Sequence, residues 1–194
     1  MQPSSQMTMR HSVPSRAFSA DLRLLPDRPL LDSALAAALP ADSLRGAAAW
    51  LRALPYGRTA SRTDLMTVIT EQRGTCSSKH ALLATLAPEL ELVVGIYFMS
   101  AQTNPAVGPV LAAAGLEAIP EAHCYLRTPG GRLDITTPAP RPLPVCYELP
   151  IEPHQIGDFK VGLHRGFLAA WAGGRDTEAL WVTRERCIAA LGAP

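Results

Sequence analysis

The chain has no Cys-x-x-Cys pair and no closely spaced set of half-cystines. Its four cysteines, Cys76, Cys124, Cys146 and Cys187, are scattered over 194 residues. A disulfide-stapled small domain is therefore excluded, and the thiols read as those of a soluble protein kept reduced in the cytoplasm. Lysine is nearly missing: Lys79 and Lys160 stand alone, and the arginines are interspersed with 17 acids to leave a net charge of +1. With no basic stripe to track a polyanion, neither nucleic acid nor an acidic membrane surface is an expected partner. Long apolar runs are absent too. Residues 92–99 form one of the longest, far short of the roughly 20 residues that a spanning helix needs. Residues 1–19 carry no apolar core of a secretory signal.

What is present is a hydrophobic content of 47%, enough to fill the core of one domain. Residues 1–20, rich in Ser, Met, Gln and Arg, read as a flexible tail, and 21–194 as a single domain. Helices are expected over 31–39, over 43–54 with Ser43 as N-cap, and over 63–71. A helix over 76–86 follows, with Thr75 as its N-cap and Pro88 beyond its end. Residues 90–100 read as a buried strand and 109–114 as a short helix. Strands over 122–127 and 132–136 flank the turn signal Thr128-Pro129-Gly130-Gly131. Residues 138–153 are Pro-rich and irregular or edge-like, and helices over 162–171 and 177–191, joined at Gly173-Gly174, close the chain. Helices, then a sheet, then helices make an α+β arrangement.

Chemistry concentrates at three places. Cys76 opens a helix in Arg73-Gly74-Thr75-Cys76-Ser77-Ser78-Lys79-His80, where unpaired N–H groups and the macrodipole favour a thiolate and can receive an oxyanion. On the first hairpin strand Ala122, Cys124 and Leu126 form an apolar row, leaving His123 and Tyr125 on the other face. On its partner Leu133 and Ile135 are apolar, leaving Asp134 and Thr136 opposite. An even loop such as Pro129-Gly130 pairs Tyr125 with Asp134 and makes His123 the diagonal neighbour of that carboxylate. Thiol, imidazole and carboxylate are the parts of an activated cysteine nucleophile, with Cys76, His123 and Asp134 as its candidate catalytic residues.

Rival assignments exist. His80, four residues after Cys76 on the same helix face, is an alternative base, although a position beneath the nucleophile suits packing better. A zinc site from Cys76, His80, His123 and Cys124 is disfavoured, because His123 and Cys124 point to opposite strand faces. Cys124, Cys146 and Cys187 read as core thiols, and His164 as a structural or rim residue. For an oxyanion donor Gln72, Ser77, Trp50 and Tyr56 are candidates. Segments 1–20 and 101–120 are candidates to gate the cleft.

Over about residues 45–137 the chain resembles the transglutaminase-like superfamily, the papain-related group whose triad runs Cys, His, Asp. The resemblance is carried by Arg73-Gly74-Thr75-Cys76 before an Ala/Leu helix, by the strand through Gly95-Ile96-Tyr97, by Glu121-Ala122-His123-Cys124-Tyr125 and by Leu133-Asp134. It implies a nucleophile helix packed on a small antiparallel sheet, flanked by N- and C-terminal helices. It also implies Cys76 as nucleophile, His123 as base and then acid, and Asp134 as orienter. No organic cofactor is implied, and the chain has no acidic loop of the kind that holds calcium in the animal crosslinking enzymes. Thr75 departs from the pattern, standing where an aromatic residue often precedes the cysteine. The function implied is thiol-mediated acyl transfer, foremost hydrolysis of an amide or peptide bond in a peptide, protein or other amide- or ester-containing substrate. Two alternatives stay open: a catalytically silent binding or scaffolding protein on the same fold, and a CoA-dependent enzyme similar to arylamine N-acetyltransferases. The latter are longer and carry a barrel and lid that 194 residues scarcely accommodate.

Overall fold

The computed structural model describes residues 18–192. Helix α1 (Ala34–Ala38) is short, and α2 (Leu44–Ala53) follows with the Ser43 hydroxyl accepting from the Gly46 N–H at 3.2 Å. Leu44, Ala47, Ala48 and Leu51 recur at helical spacing and are all buried, so α2 is held by one apolar stripe. After α3 (Met66–Thr70) comes α4 (Cys76–Leu86), which is buried almost all round because it lies beneath the sheet. Its start is closed by a reciprocal capping box between Thr75 and Ser78, as the Thr75 N-cap expectation required.

The remaining elements are β2 (Glu91–Ser100), α5 (Gly108–Ala113), β3 (Ala118–Thr128), β4 (Gly131–Leu133), β5 (Tyr147–Pro150), α6 (Asp158–Trp171) and α7 (Thr177–Leu191), with β1 (Phe18–Ser19) before them all. The strands form one sheet in the order β1-β4-β3-β2-β5. An α+β architecture is thus observed, with seven α-helices and five strands among the described residues. The sheet is mixed and not purely antiparallel, because β1 runs parallel to β4 with Phe18 opposite Arg132.

That pairing also moves the tail boundary: Phe18 and Ser19 belong to the sheet, and residues 1–17 of the expected tail lie outside the described residues. Strand β3 begins four residues earlier than its alternation indicated and runs through Pro120. A proline is tolerated there because β4 covers only the Leu126–Thr128 end of β3, leaving the strand with one neighbour at Pro120. β4 is shorter than expected, stopping at Leu133. β5 occupies the edge within the Pro-rich stretch, and α6 starts at Asp158, four residues before its expected start.

The sheet separates two cores. Ala122, Cys124, Leu126 and Leu133 join α2 and α4 in one of them. On the other side Met99 and Ile119 meet Leu168, Trp181, Cys187 and Ile188 from α6 and α7. Cys124 and Cys187 are buried as expected, but Cys146 is exposed, since it precedes the edge strand β5.

Candidate functional site

The hairpin sets the site. Leu126 pairs with Leu133 and Thr128 with Gly131, so the loop is the two residues Pro129-Gly130 and the register is the one that the apolar rows demanded. His123 and Asp134 meet accordingly: Nε2 of the imidazole lies 2.8 Å from Oδ2 of the carboxylate. Nδ1 is left as the ring nitrogen free to face another group. The imidazole is enclosed by rings, with Phe18 and Tyr97 edge-on at centroid distances of 6.2 and 6.4 Å and Tyr125 stacked at 6.3 Å. Gly95 pairs directly with His123, and a side chain at Gly95 would run 2.9 Å from the Tyr125 ring, so glycine is needed to seat this cluster.

Asp134 is fixed from behind by α4. The Asp134 N–H still donates to the Ser19 carbonyl of β1 (2.9 Å), and beyond it side chains of that helix take over from the strand pairing. His80 accepts the Ile135 N–H at Nε2 (2.9 Å) and donates from Nδ1 to the Cys76 carbonyl (2.6 Å). Lys79 Nζ donates to the carbonyls of Leu54 (2.6 Å) and Thr136 (2.8 Å), and the Thr136 N–H donates to Asp134 Oδ1 at 2.8 Å. Both nitrogens of His80 are committed to backbone, and burial pulls its pKa down to about 4. His80 is thus a neutral structural imidazole under the site, and the rival assignment as base loses its proton-accepting nitrogen. His164 is similarly structural, donating from Nε2 to the Pro120 carbonyl at 2.8 Å.

Cys76 comes to the imidazole from the first turn of α4. Burial raises its thiol pKa, but the His123 and Lys160 charges, a hydrogen bond with the His123 ring and one from the Cys124 backbone N–H outweigh that, bringing it down to about 6. Burial lowers the His123 pKa, yet the charges of Asp134 and Cys76 and hydrogen bonds to both carry it well above its ordinary value. Burial disfavours charge on Asp134 as well, and the His123 charge and hydrogen bond reverse this, holding the carboxyl far below the usual range. Thiolate, imidazolium and carboxylate is the charge state that these three groups favour together.

Cys76, His123 and Asp134 share the wall of a cleft of about 220 Å³ that also presents Tyr56, Tyr97 and Glu121. No protein-family profile, curated protein or solved structure matches the chain. Among the described residues no helix is long and apolar enough to cross a membrane, and no group of three or more His, Cys, Asp or Glu side chains is placed to hold a metal ion.

The remaining candidates divide. Tyr56 lines the cleft, its phenol kept protonated by burial and by the neighbouring Cys76 and Glu121 charges. Gln72 does not reach it: the residue is exposed in a left-handed turn (φ 50°) after α3. Trp50, on α2, packs against the core. The Ser77 hydroxyl is 3.9 Å from the Cys76 sulfur but lines a separate small cavity. Of segment 101–120, Thr103 and Asn104 reach the cleft, and the loop carrying Thr136, Thr137 and Arg141 supplies a wall that sequence reasoning did not assign. Sequence reasoning also missed Glu121, which is buried and gripped by both Arg184 Nε (2.6 Å) and Nη2 (2.5 Å) from α7. The signal available was Glu121 itself, an acid at an inward strand position, which burial forces to find a cation.

Proposed function

We propose that this chain is a cysteine-dependent acyl-transfer enzyme, of the transglutaminase-like and papain-like kind, that hydrolyses an amide or peptide bond. The observation that carries the reading is one cleft lined by Cys76, His123 and Asp134, with the imidazole held 2.8 Å from the carboxylate and the His123 charge pulling the thiol pKa down. A buried thiol with no such partners would titrate above the ordinary cysteine value, so the arrangement serves reactivity and not packing.

In the proposed reaction the Cys76 thiolate attacks the carbonyl carbon of the substrate, and the carbonyl π electrons move onto oxygen. The backbone N–H of Cys76, in the first turn of α4, and the Tyr56 hydroxyl are the donors suited to that oxyanion. The C–N bond breaks as His123 gives its Nδ1 proton to the departing amine, leaving a thioester on Cys76 and a neutral imidazole. Water then attacks the thioester, His123 takes the water proton, and the C–S bond breaks to release the acid and restore the ion pair. Asp134 keeps the Nε2–H tautomer and stabilises the imidazolium at each stage.

The test is to trap the intermediate. Incubation with activated acyl donors, quenched in acid and mapped by mass spectrometry, should add one acyl group at Cys76 with equimolar release of amine. The adduct should vanish in Cys76→Ala and accumulate several-fold more slowly in Tyr56→Phe. Absence of any Cys76 acylation across peptide, aryl amide and CoA thioester donors would favour the silent binding protein, while acylation by acetyl-CoA alone would favour the acetyltransferase alternative.

A further inference from the structure

We propose that the cavity on the other side of the α4 first turn is a binding site for a compact oxyanion, a carboxylate or phosphate group, with Lys160 as its central cation. The cavity measures about 60 Å³, several times the roughly 10–15 Å³ that one water requires, and is bordered by Thr75, Ser77 and Ser78 at the helix start and by Lys160 on α6. Arg58 and Arg62 stand at its mouth.

Charge and burial single out Lys160. The chain has two lysines, and both are buried, at 0% exposure for Lys79 and 8% for Lys160. Lys79 satisfies its ammonium on two carbonyls, at 2.6 and 2.8 Å. Lys160 makes no hydrogen bond or ion pair among the described residues, and its charge acts through space on Cys76 and Glu121. The nearby carboxylates are already committed: Glu121 to Arg184, and Glu185 to Arg58 (2.6 Å) and Arg184 (2.7 Å). No carboxylate borders the cavity, while Arg58, Arg62, Lys160 and Arg184 all do. An eleven-residue helix aims its first turn at the same space, adding partial positive charge and the Ser77 N–H, since the Ser78 N–H is taken by the Thr75 hydroxyl. An oxyanion meets the ammonium, the helix start and the Arg62 charge at once, Arg58 and Arg184 being already paired.

Position couples this site to the thiol. Lys160 is one of the cations that hold the Cys76 thiolate, so an anion seated on Lys160 weakens that hold. The binding site stands on its own evidence. Only its meaning for the thiol rests on the acyl-transfer reading, where an anion bound there tunes the nucleophile and is not part of the substrate.

The test titrates inorganic phosphate, and separately acetate, into full-length Cys76→Ala protein against sodium chloride at equal ionic strength, following backbone amide shifts and melting temperature. Saturable shifts at the Ser77 and Ser78 amides are expected, with affinity at least tenfold weaker in Lys160→Met and severalfold weaker in Arg62→Ala, a change on an exposed side chain that leaves the fold alone. The tighter of the two probes identifies a phosphate or a carboxylate as the group accommodated. In protein with its thiol intact, phosphate should move the pH midpoint of iodoacetamide alkylation at Cys76 upward. Shifts that do not saturate, that chloride reproduces, or that Arg62→Ala and Lys160→Met leave unchanged would overturn the proposal. Because the binding arm lacks the thiol, phosphate binding without any amide hydrolysis by the wild type would overturn the catalytic reading and leave the oxyanion site standing.

Discussion

Truncating His123 to alanine tests the ion pair at its most exposed consequence, the pH dependence of thiol reactivity. The change removes the largest influence that opposes burial at Cys76, leaving the Lys160 charge and the Cys124 N–H. The thiol pKa should climb from about 6 to the ordinary cysteine value of roughly 8.5 or beyond. A rise of about 2.5 units corresponds to roughly 3 kcal/mol of lost thiolate stabilisation. At pH 6.5 the thiolate fraction falls from about three-quarters to about one-hundredth, but a more basic thiolate is also more nucleophilic, by about tenfold for this rise at a Brønsted slope near 0.45. The two effects oppose each other. Alkylation of His123→Ala should therefore be about sixfold slower than wild type at pH 6.5 and about tenfold faster at pH 10, with the curves crossing near pH 7.5. Iodoacetamide rates at the mass-mapped Cys76 peptide from pH 5 to 10 measure this directly. Rate profiles that keep the same midpoint and never cross would refute the reasoning.

Three further outcomes follow from the same contacts. A methyl group at Gly74 would lie 2.9 Å from Lys79 Cγ and 3.1 Å from Ser78 Oγ, so Gly74→Ala should cost about 1–3 kcal/mol, read as a lower urea midpoint at unchanged slope. His80 takes up a proton near its ordinary pKa of 6.5 when unfolded but only near 4 when folded, so between those values the unfolded state binds more protons and stability falls as the pH falls. That fall should be about 3 kcal/mol larger in wild type than in His80→Ala, measured by urea unfolding at pH 7 and pH 4; an equal fall in both would contradict the assignment. Arg184→Leu strands the buried Glu121 carboxylate and should cost about 3–5 kcal/mol, much of it recovered when Glu121→Gln is added in the same chain.

The parts of this site that were legible in the sequence are those fixed by local rules. The Thr75 cap announces the start of α4, and the apolar rows through Cys124 and Leu133 force one hairpin register, which brings His123 to Asp134 without reference to chemistry. What was not legible depends on distant partners. A two-residue strand such as Phe18–Ser19 carries no periodicity, and its pairing with β4 is decided by chain more than a hundred residues away. The bond from His80 to the Ile135 N–H spans 55 residues and that from Arg184 to Glu121 spans 63. Nothing local in the sequence marks Lys160, and only the tertiary fold takes it out of water. Cys146 was read as a core thiol although the stretch around it was read as irregular or edge-like, and it lies exposed beside the edge strand β5.

The most direct measurement sets two thiols of the same molecule against each other. Cys76 is buried with its pKa pulled down by its neighbours, and Cys146 is exposed with its pKa raised. Native protein treated with substoichiometric iodoacetamide at pH 6.5 and mapped by mass spectrometry should carry the label on Cys76 first, because thiolate character outweighs exposure there. Label on Cys146 ahead of Cys76 would contradict a reactive thiolate held by His123.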